Sequence, residues 1–187
     1  MPRFLKSGVP IIGVASAAKK ASGFGGGVDP VADFTLVGEA TVSGAPSTTM
    51  QITGISSTAD KRYYAVALVD YSGGATIAYM AANGVTSYLI GYERSGGTDL
   101  GGTTESGFGR AQVSGANQSL LFATFDVSLS VLAATHQHMT NSASSSRCSY
   151  GASVSTGVAS ITSVEVTATT ANGLGIGSWL KVYEVVA

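Results

Sequence analysis

Beyond residue 32 the apolar and β-branched residues come in short runs, and glycine, asparagine or serine stops each run before a helical period is established. A chain punctuated this way is confined to sheets. Met50-Gln-Ile52-Thr alternates with the period of two expected of a half-buried strand, whereas Tyr63-Tyr-Ala-Val66-Ala-Leu68-Val69 is nearly continuous and suits a central one. Thr76-Ile77-Ala-Tyr79-Met80 and the run Thr86 to Tyr92 follow Gly73-Gly74 and Asn83-Gly84, dipeptides that tolerate positive φ and predict hairpin turns. From Ser119 to Val131 the alternation places Leu121, Ala123, Phe125, Val127, Leu129 and Val131 on one face. The expected fold is all-β: an antiparallel β-sandwich, jelly-roll-like, with an extended N-terminal arm.

The end of the chain, Ala159 to Val186, predicts a closing hairpin. Ile161, Val164 and Val166 form one strand, Leu180, Val182 and Val185 the other, with Asn172-Gly173 between them and Trp179 on the second. Two stretches read as irregular. Residues 93–117, ERSGGTDLGGTTESGFGRAQVSGAN, look like a long glycine-rich surface loop, and His136 to Ser149 is polar without periodicity. Tyr150 to Val158 is weakly strand-like.

A length of 187 residues suits one buried core. That core is expected in residues 33–187, because residues 1–32 have a different texture. Pro2, Pro10 and Pro30, with glycines at 23 and 25–27, disfavour regular structure. Yet Phe4, Leu5, Val9, Ile11, Ile12, Val14 and Phe24 are too apolar for a solvated tail. They are the candidate anchoring residues of an arm that packs on another protein. Arg3 and Lys6, the apolar run and Ala15-Ser16-Ala17 also have the outline of a secretory signal, but retention as an arm is the expectation.

Charge narrows the partners. Only 11% of residues are charged and the net charge is −1, so there is no field to gather nucleic acid or a charged membrane surface. No apolar run approaches the roughly 20 residues of a membrane helix. A neutral surface rich in Gly, Ser, Thr and Ala suits contact with other subunits, including a homodimer or homotrimer. Cys148, the single cysteine, has no internal disulfide partner and no metal-site spacing.

Residues that carry chemistry are sparse. His136 and His138 stand at i, i+2 and would share one side of a strand, which makes them weak metal candidates in need of a third ligand; the simpler expectation is two loop histidines. The acids are scattered singly, and neither a nucleophile elbow, a zinc-protease helix nor a phosphate loop occurs. A non-enzyme without cofactor follows. Around the glycine-rich segment, Tyr88, Tyr92, Arg94, Asp99, Phe108 and Arg110 are candidate contacts for a glycan or a protein partner.

The segments Ala159-Ser-Ile161-Thr-Ser-Val164 and Gly177-Ser178-Trp179-Leu180-Lys181-Val182-Tyr183-Glu184-Val185 resemble a closing pattern in small β-sandwich structural proteins of tailed bacteriophages. Met50-Gln-Ile52-Thr-Gly54-Ile55-Ser56, followed by Tyr63-Tyr64-Ala-Val66, is similar to an early segment of the same proteins. Glu184 stands where that pattern more often has glycine. The resemblance spans residues 33–187 and implies a jelly-roll-like domain on a virion surface, assembled in the host cytoplasm. The implied role is capsid decoration (cement) beside the major capsid protein. A tail fibre, adaptor or receptor-binding domain that recognises host-surface carbohydrate is the alternative. It implies no catalytic residues.

Overall fold

In the computed structural model the described residues are 33–56, 61–72, 76–95, 98–100, 103–113, 118–128, 130–141 and 146–186. The arm, with its candidates Phe4 to Phe24, and Leu129 lie outside them. The described residues contain no helix and thirteen strands: β1 (Asp33–Thr41), β2 (Thr49–Thr53), β3 (Arg62–Asp70), β4 (Thr76–Ala82), β5 (Tyr88–Ser95), β6 (Thr98–Leu100), β7 (Thr103–Glu105), β8 (Gly109–Val113), β9 (Gln118–Ser128), β10 (Val131–Asn141), β11 (Ser146–Thr156), β12 (Ser163–Ala168) and β13 (Trp179–Val186).

These strands form two antiparallel sheets packed face to face. The larger runs β1-β13-β3-β9-β10-β11-β5-β6, with β7 also on β5, and the smaller runs β2-β12-β4-β8. The first four strands of the larger sheet, β1, β13, β3 and β9, match the smaller sheet position by position with their chain neighbours β2, β12, β4 and β8. That two-sheet winding is a jelly roll. Strands β5 to β7, inserted between β4 and β8, and strands β10 and β11, inserted between β9 and β12, extend the larger sheet beyond the jelly-roll core.

Alternation decides what goes inside. Tyr63, Ala65, Ala67 and Val69 of β3 and Leu121, Ala123, Phe125 and Val127 of β9 face Met50, Ile52, Met80, Val164 and Val166 of the smaller sheet. Tyr63 stacks on Phe125 at 5.7 Å between centroids, and Phe108 meets the same ring at 5.0 Å. Burial of such a ring contributes about 1.5–3 kcal/mol by transfer alone. Gly38 sits where β1 approaches the opposite sheet; a Cβ there would lie 2.7 Å from Ile52 Cγ2.

Several local expectations change in three dimensions. The Ala159 to Val186 segment does contain two strands, but not a hairpin: β12 pairs with β2 and β4, while β13 pairs with β1 and β3 in the other sheet. Its glycine-bearing connection closes one end of the sandwich. Leu174 is fully buried, exchanges backbone hydrogen bonds with Ser47 at 2.8 and 2.9 Å, and precedes Gly175, whose amide donates to Asp70 O at 2.6 Å. Asn83-Gly84 is a turn with both φ values positive, yet it carries the chain from β4 into the other sheet. The Asn83 side chain holds that crossing in place: it accepts from the amides of Thr162 and Ser163 and donates to Ser160 O at 2.6 Å. Residues 73–75 lie outside the described part, but β3 and β4 also belong to different sheets.

The glycine-rich stretch 93–117 is not one long loop. It contributes the end of β5 and all of β6, β7 and β8. Phe108 within it is fully buried, edge-on to Tyr88 at 5.6 Å. Within the second stretch, residues 136–141 belong to β10 and 146–149 to the start of β11, which pair residue for residue from Val131↔Thr156 to Asn141↔Ser146. Low apolar content hid these strands: in the second stretch the inward positions of β10 are His136 and His138, which give no apolar alternation.

Candidate interaction surface

Two features stand out: a polar cluster between the sheets and the outer face of the larger sheet. On β10, Leu132, Ala134, His136 and His138 point inward, and Ala133, Thr135, Gln137 and Met139 point out. His136 and His138 are therefore buried strand residues rather than loop histidines, each 4% exposed. The space beside them is made by Gly109 of β8, where a Cβ would come within 3.6 Å of His136 Cβ. Arg110 follows, its Nη1 donating to Glu105 Oε1 at 3.0 Å, and the Tyr79 hydroxyl donates to Glu105 Oε2 at 3.1 Å.

Burial lowers the His136 pKa to about 4, with His138 and the Arg110 guanidinium adding to the shift; burial and Arg110 do the same to His138. Both imidazoles are uncharged at neutral pH, which suits a metal ligand. A cation there would share the cluster with Arg110, however. Among the described residues no group of three His, Cys, Asp or Glu is placed to hold a metal ion. The arrangement sets the two neutral imidazoles of β10 near Arg110, whose own hydrogen bonds run to Glu105 and through it to Tyr79.

The outer face is built differently. Register places Leu36, Tyr183, Tyr64, Thr124, Thr135 and Ala152 in one row across β1, β13, β3, β9, β10 and β11; the next row holds Lys181, Val66, Phe122, Gln137 and Tyr150. Tyr64 lies at the centre of an aromatic cluster, 5.7 Å from Phe34, 6.4 Å from Phe122 and 6.5 Å from Tyr183. Burial raises its hydroxyl pKa, and Tyr183 adds to that. Over β9, β10 and β11 the face dips into a concavity of about 630 Å³, bordered by Tyr64, Phe122, Gln137, Met139 and Tyr150.

Phe34 (54% exposed), Leu36 (48%), Met139 (47%), Tyr150 (47%) and Val154 (37%) lie open on this face. Among the described side chains of this face charge is sparse: Arg62 pairs with Asp126 at 3.5 Å in the row between Phe34 and Val154, Lys181 pairs with Glu39 at 3.4 Å, and Asp70 accepts from Gln118. Large apolar side chains left open on one face make it a candidate interaction surface.

The expected contact residues are distributed unevenly. Tyr88 is fully buried: its hydroxyl accepts from Ala82 N at 3.0 Å and donates to Ala82 O at 3.3 Å, and burial pushes its pKa up to about 12. Tyr88 and Phe108 are thus core residues that cannot reach a glycan or partner. Arg110 is taken up by Glu105. Tyr92 and Arg94 lie on β5 and Asp99 on β6, with Tyr92 in register with Ala152, and Arg94 with both Tyr150 and Asp99; their side chains are outside the described part. The residues that do border the concavity, Tyr64, Phe122, Met139 and Tyr150, form no group along the chain. A signal for them exists in the Tyr63-Tyr64 pair, since a strand apolar at every position has two apolar faces and only one lies in the core.

Compared with protein-family models, with curated proteins and with solved structures, the chain has no significant match in any of the three. Its class is set by the fold alone: a jelly-roll β-sandwich whose larger sheet, widened by inserted strands, carries aromatic side chains on its outer face.

Proposed function

We propose that this chain is a non-enzymatic structural protein of a tailed-bacteriophage particle, a capsid decoration (cement) protein that binds neighbouring capsid subunits through residues 1–32 while the sandwich sits on the particle surface. The observation that carries the proposal is the group of large apolar side chains left open on the outer face of the larger sheet, on a chain with only 11% charged residues. An apolar arm, a neutral surface and the resemblance of its strand segments to phage β-sandwich proteins support it. Deletion of residues 2–30 is expected to abolish incorporation into particles while the sandwich still folds. Normal incorporation of the truncated chain, read by gel and mass spectrometry of purified particles, would sink the anchoring role.

A second reading, a carbohydrate-binding domain of the tail, is favoured by one feature. The exposed Tyr150 ring borders the concavity beside Gln137 and Thr135, an aromatic plate next to hydrogen-bonding side chains. Calorimetric titration with host-surface polysaccharide tests it. Saturable heat that Tyr150→Ala removes would support this reading over decoration, and absence of heat would dismiss it.

A further inference from the structure

The candidate surface is wider than its concavity. Across β1, β13, β3, β9 and β10, the rows through Leu36 and Lys181 are flanked by two more: Thr41, Trp179, Leu68, Leu120 and Met139 on one side, Phe34, Val185, Arg62, Asp126 and Ala133 on the other. Four rows thus lie side by side on five strands. At ~4.8 Å between strands and about 6.8 Å between rows they cover about 24 by 27 Å, or roughly 650 Å². Two such faces bury about 1,300 Å², which is within the range of a specific protein–protein interface. Trp179, Leu68 and Leu120 lie outside the concavity, so a ligand confined to it would leave them uncovered.

Relief and charge select the partner. Phe34 and Leu36 stand half-exposed on β1 at one side of the face, and the concavity lies over β9, β10 and β11 at the other. Leu36 shares its row with Thr124, Thr135 and Ala152, which all line the concavity. β1 and β10 each lie two places from β3. A twofold axis running along β3 therefore carries the β1 of one copy over the β10 of the other and keeps the rows level, so each copy supplies a projection and receives one. The charges permit it. Within the four rows each described cation has its own carboxylate, Arg62 with Asp126 and Lys181 with Glu39, so the face meets its copy with no net charge.

We propose that the free protein forms a twofold dimer by packing the outer faces of two larger sheets, with Leu36 of each copy seated in the concavity of the other beside Thr135. β11 then lies at the rim of the contact. Aligned sheet packing of this kind separates the facing strands by about 10 Å. The inference concerns the free chain and does not rest on the particle role.

Sedimentation equilibrium of the full chain is expected to show a dimer at micromolar concentration. Leu36→Glu, at a half-exposed position of an edge strand, places two charges in the contact per dimer and should raise the dissociation constant about a hundredfold. Thr53→Glu, exposed on the smaller sheet, should leave it unchanged. Crosslinking reads the axis. In one chain residues 36 and 135 lie four strand spacings apart, about 19 Å. With Cys148→Ser as background, a bis-maleimide spanning about 10 Å should therefore join Leu36→Cys/Thr135→Cys chains only between copies, and should not join Leu36→Cys alone. This measurement also serves if Leu36→Glu fails to fold. A monomer or a trimer throughout the micromolar range, a dimer that Leu36→Glu leaves intact, or crosslinking of Leu36→Cys alone would each overturn the proposal. Particle incorporation is not read by these experiments, so failure here leaves the particle role standing.

Discussion

The inner and outer faces of the larger sheet are made by the same strands and differ in nearly everything else. On β10, Leu132, Ala134, His136 and His138 are sealed against the smaller sheet, while Thr135, Gln137 and Met139 one residue away border or face an open concavity. Inside, even the polar groups are enclosed: Ser153 Oγ donates to Phe108 O at 3.3 Å and Ser155 Oγ to Ser87 O at 3.0 Å. Outside, large apolar side chains such as Met139 and Tyr150 stand exposed beside polar ones such as Thr135 and Gln137. A sheet face that keeps aromatic side chains in water while serines are buried opposite serves something other than the stability of its own core. The candidate surface is shared between jelly-roll strands, which supply Phe34, Leu36, Tyr64 and Phe122, and the inserted β10 and β11, which supply Met139, Tyr150 and Val154.

The largest test of this difference is Phe125→Ala. It removes a ring packed between Tyr63 and Phe108 and should cost about 3–5 kcal/mol, read as a fall in the urea midpoint. Acid comes next. Folding holds His136 and His138 neutral down to about pH 4, whereas the unfolded chain takes up protons near 6.5. Their contribution is complete above that value and declines as pH falls toward 4. By pH 5 the loss should be about 2 kcal/mol per imidazole, and chemical denaturation at pH 7 and pH 5 measures it. His136→Leu/His138→Leu should flatten that pH dependence; an unchanged slope would place the sensitivity elsewhere.

Smaller effects probe the ends and the outside. Ser178, fully buried, accepts from Asp70 N at 2.9 Å and donates to Asp70 O at 3.0 Å, so Ser178→Ala should cost about 1–2 kcal/mol by taking the hydroxyl partner from a part-buried amide. Tyr150→Ala, on the open face, should change the unfolding free energy by less than about 0.5 kcal/mol. A large destabilisation from that change would make the outer face a second core and erase the contrast.

Much of the sandwich is legible from residues two apart. The inward sets of β2 and β9 follow from alternation, as does the shared side of His136 and His138, except that Val131 begins β10 and faces out; β3, apolar on both faces, gives no such division. The candidate surface does not, because Tyr64, Phe122, Met139 and Tyr150 come from four strands and meet only when β3, β9, β10 and β11 are laid side by side. The glycine-rich 93–117 stretch misleads for a related reason. Its strands carry few apolar residues of their own, and Phe108, a loop-tip aromatic by sequence, finds its pocket against Tyr88 and Phe125.

The sequence by itself determined that this protein is built of strands and which side of many of them is buried, because alternation and turn residues act over a few positions. Tertiary structure decided the pairing. Asn83-Gly84 and the connection ending at Ser178 read as hairpin turns, yet both carry the chain to the opposite sheet, since a tight turn specifies a reversal but not the strand across which hydrogen bonds then form. Those partners lie far along the chain, as Thr41 and Trp179 do. Only their selection brought the outward residues of four separate strands into one surface.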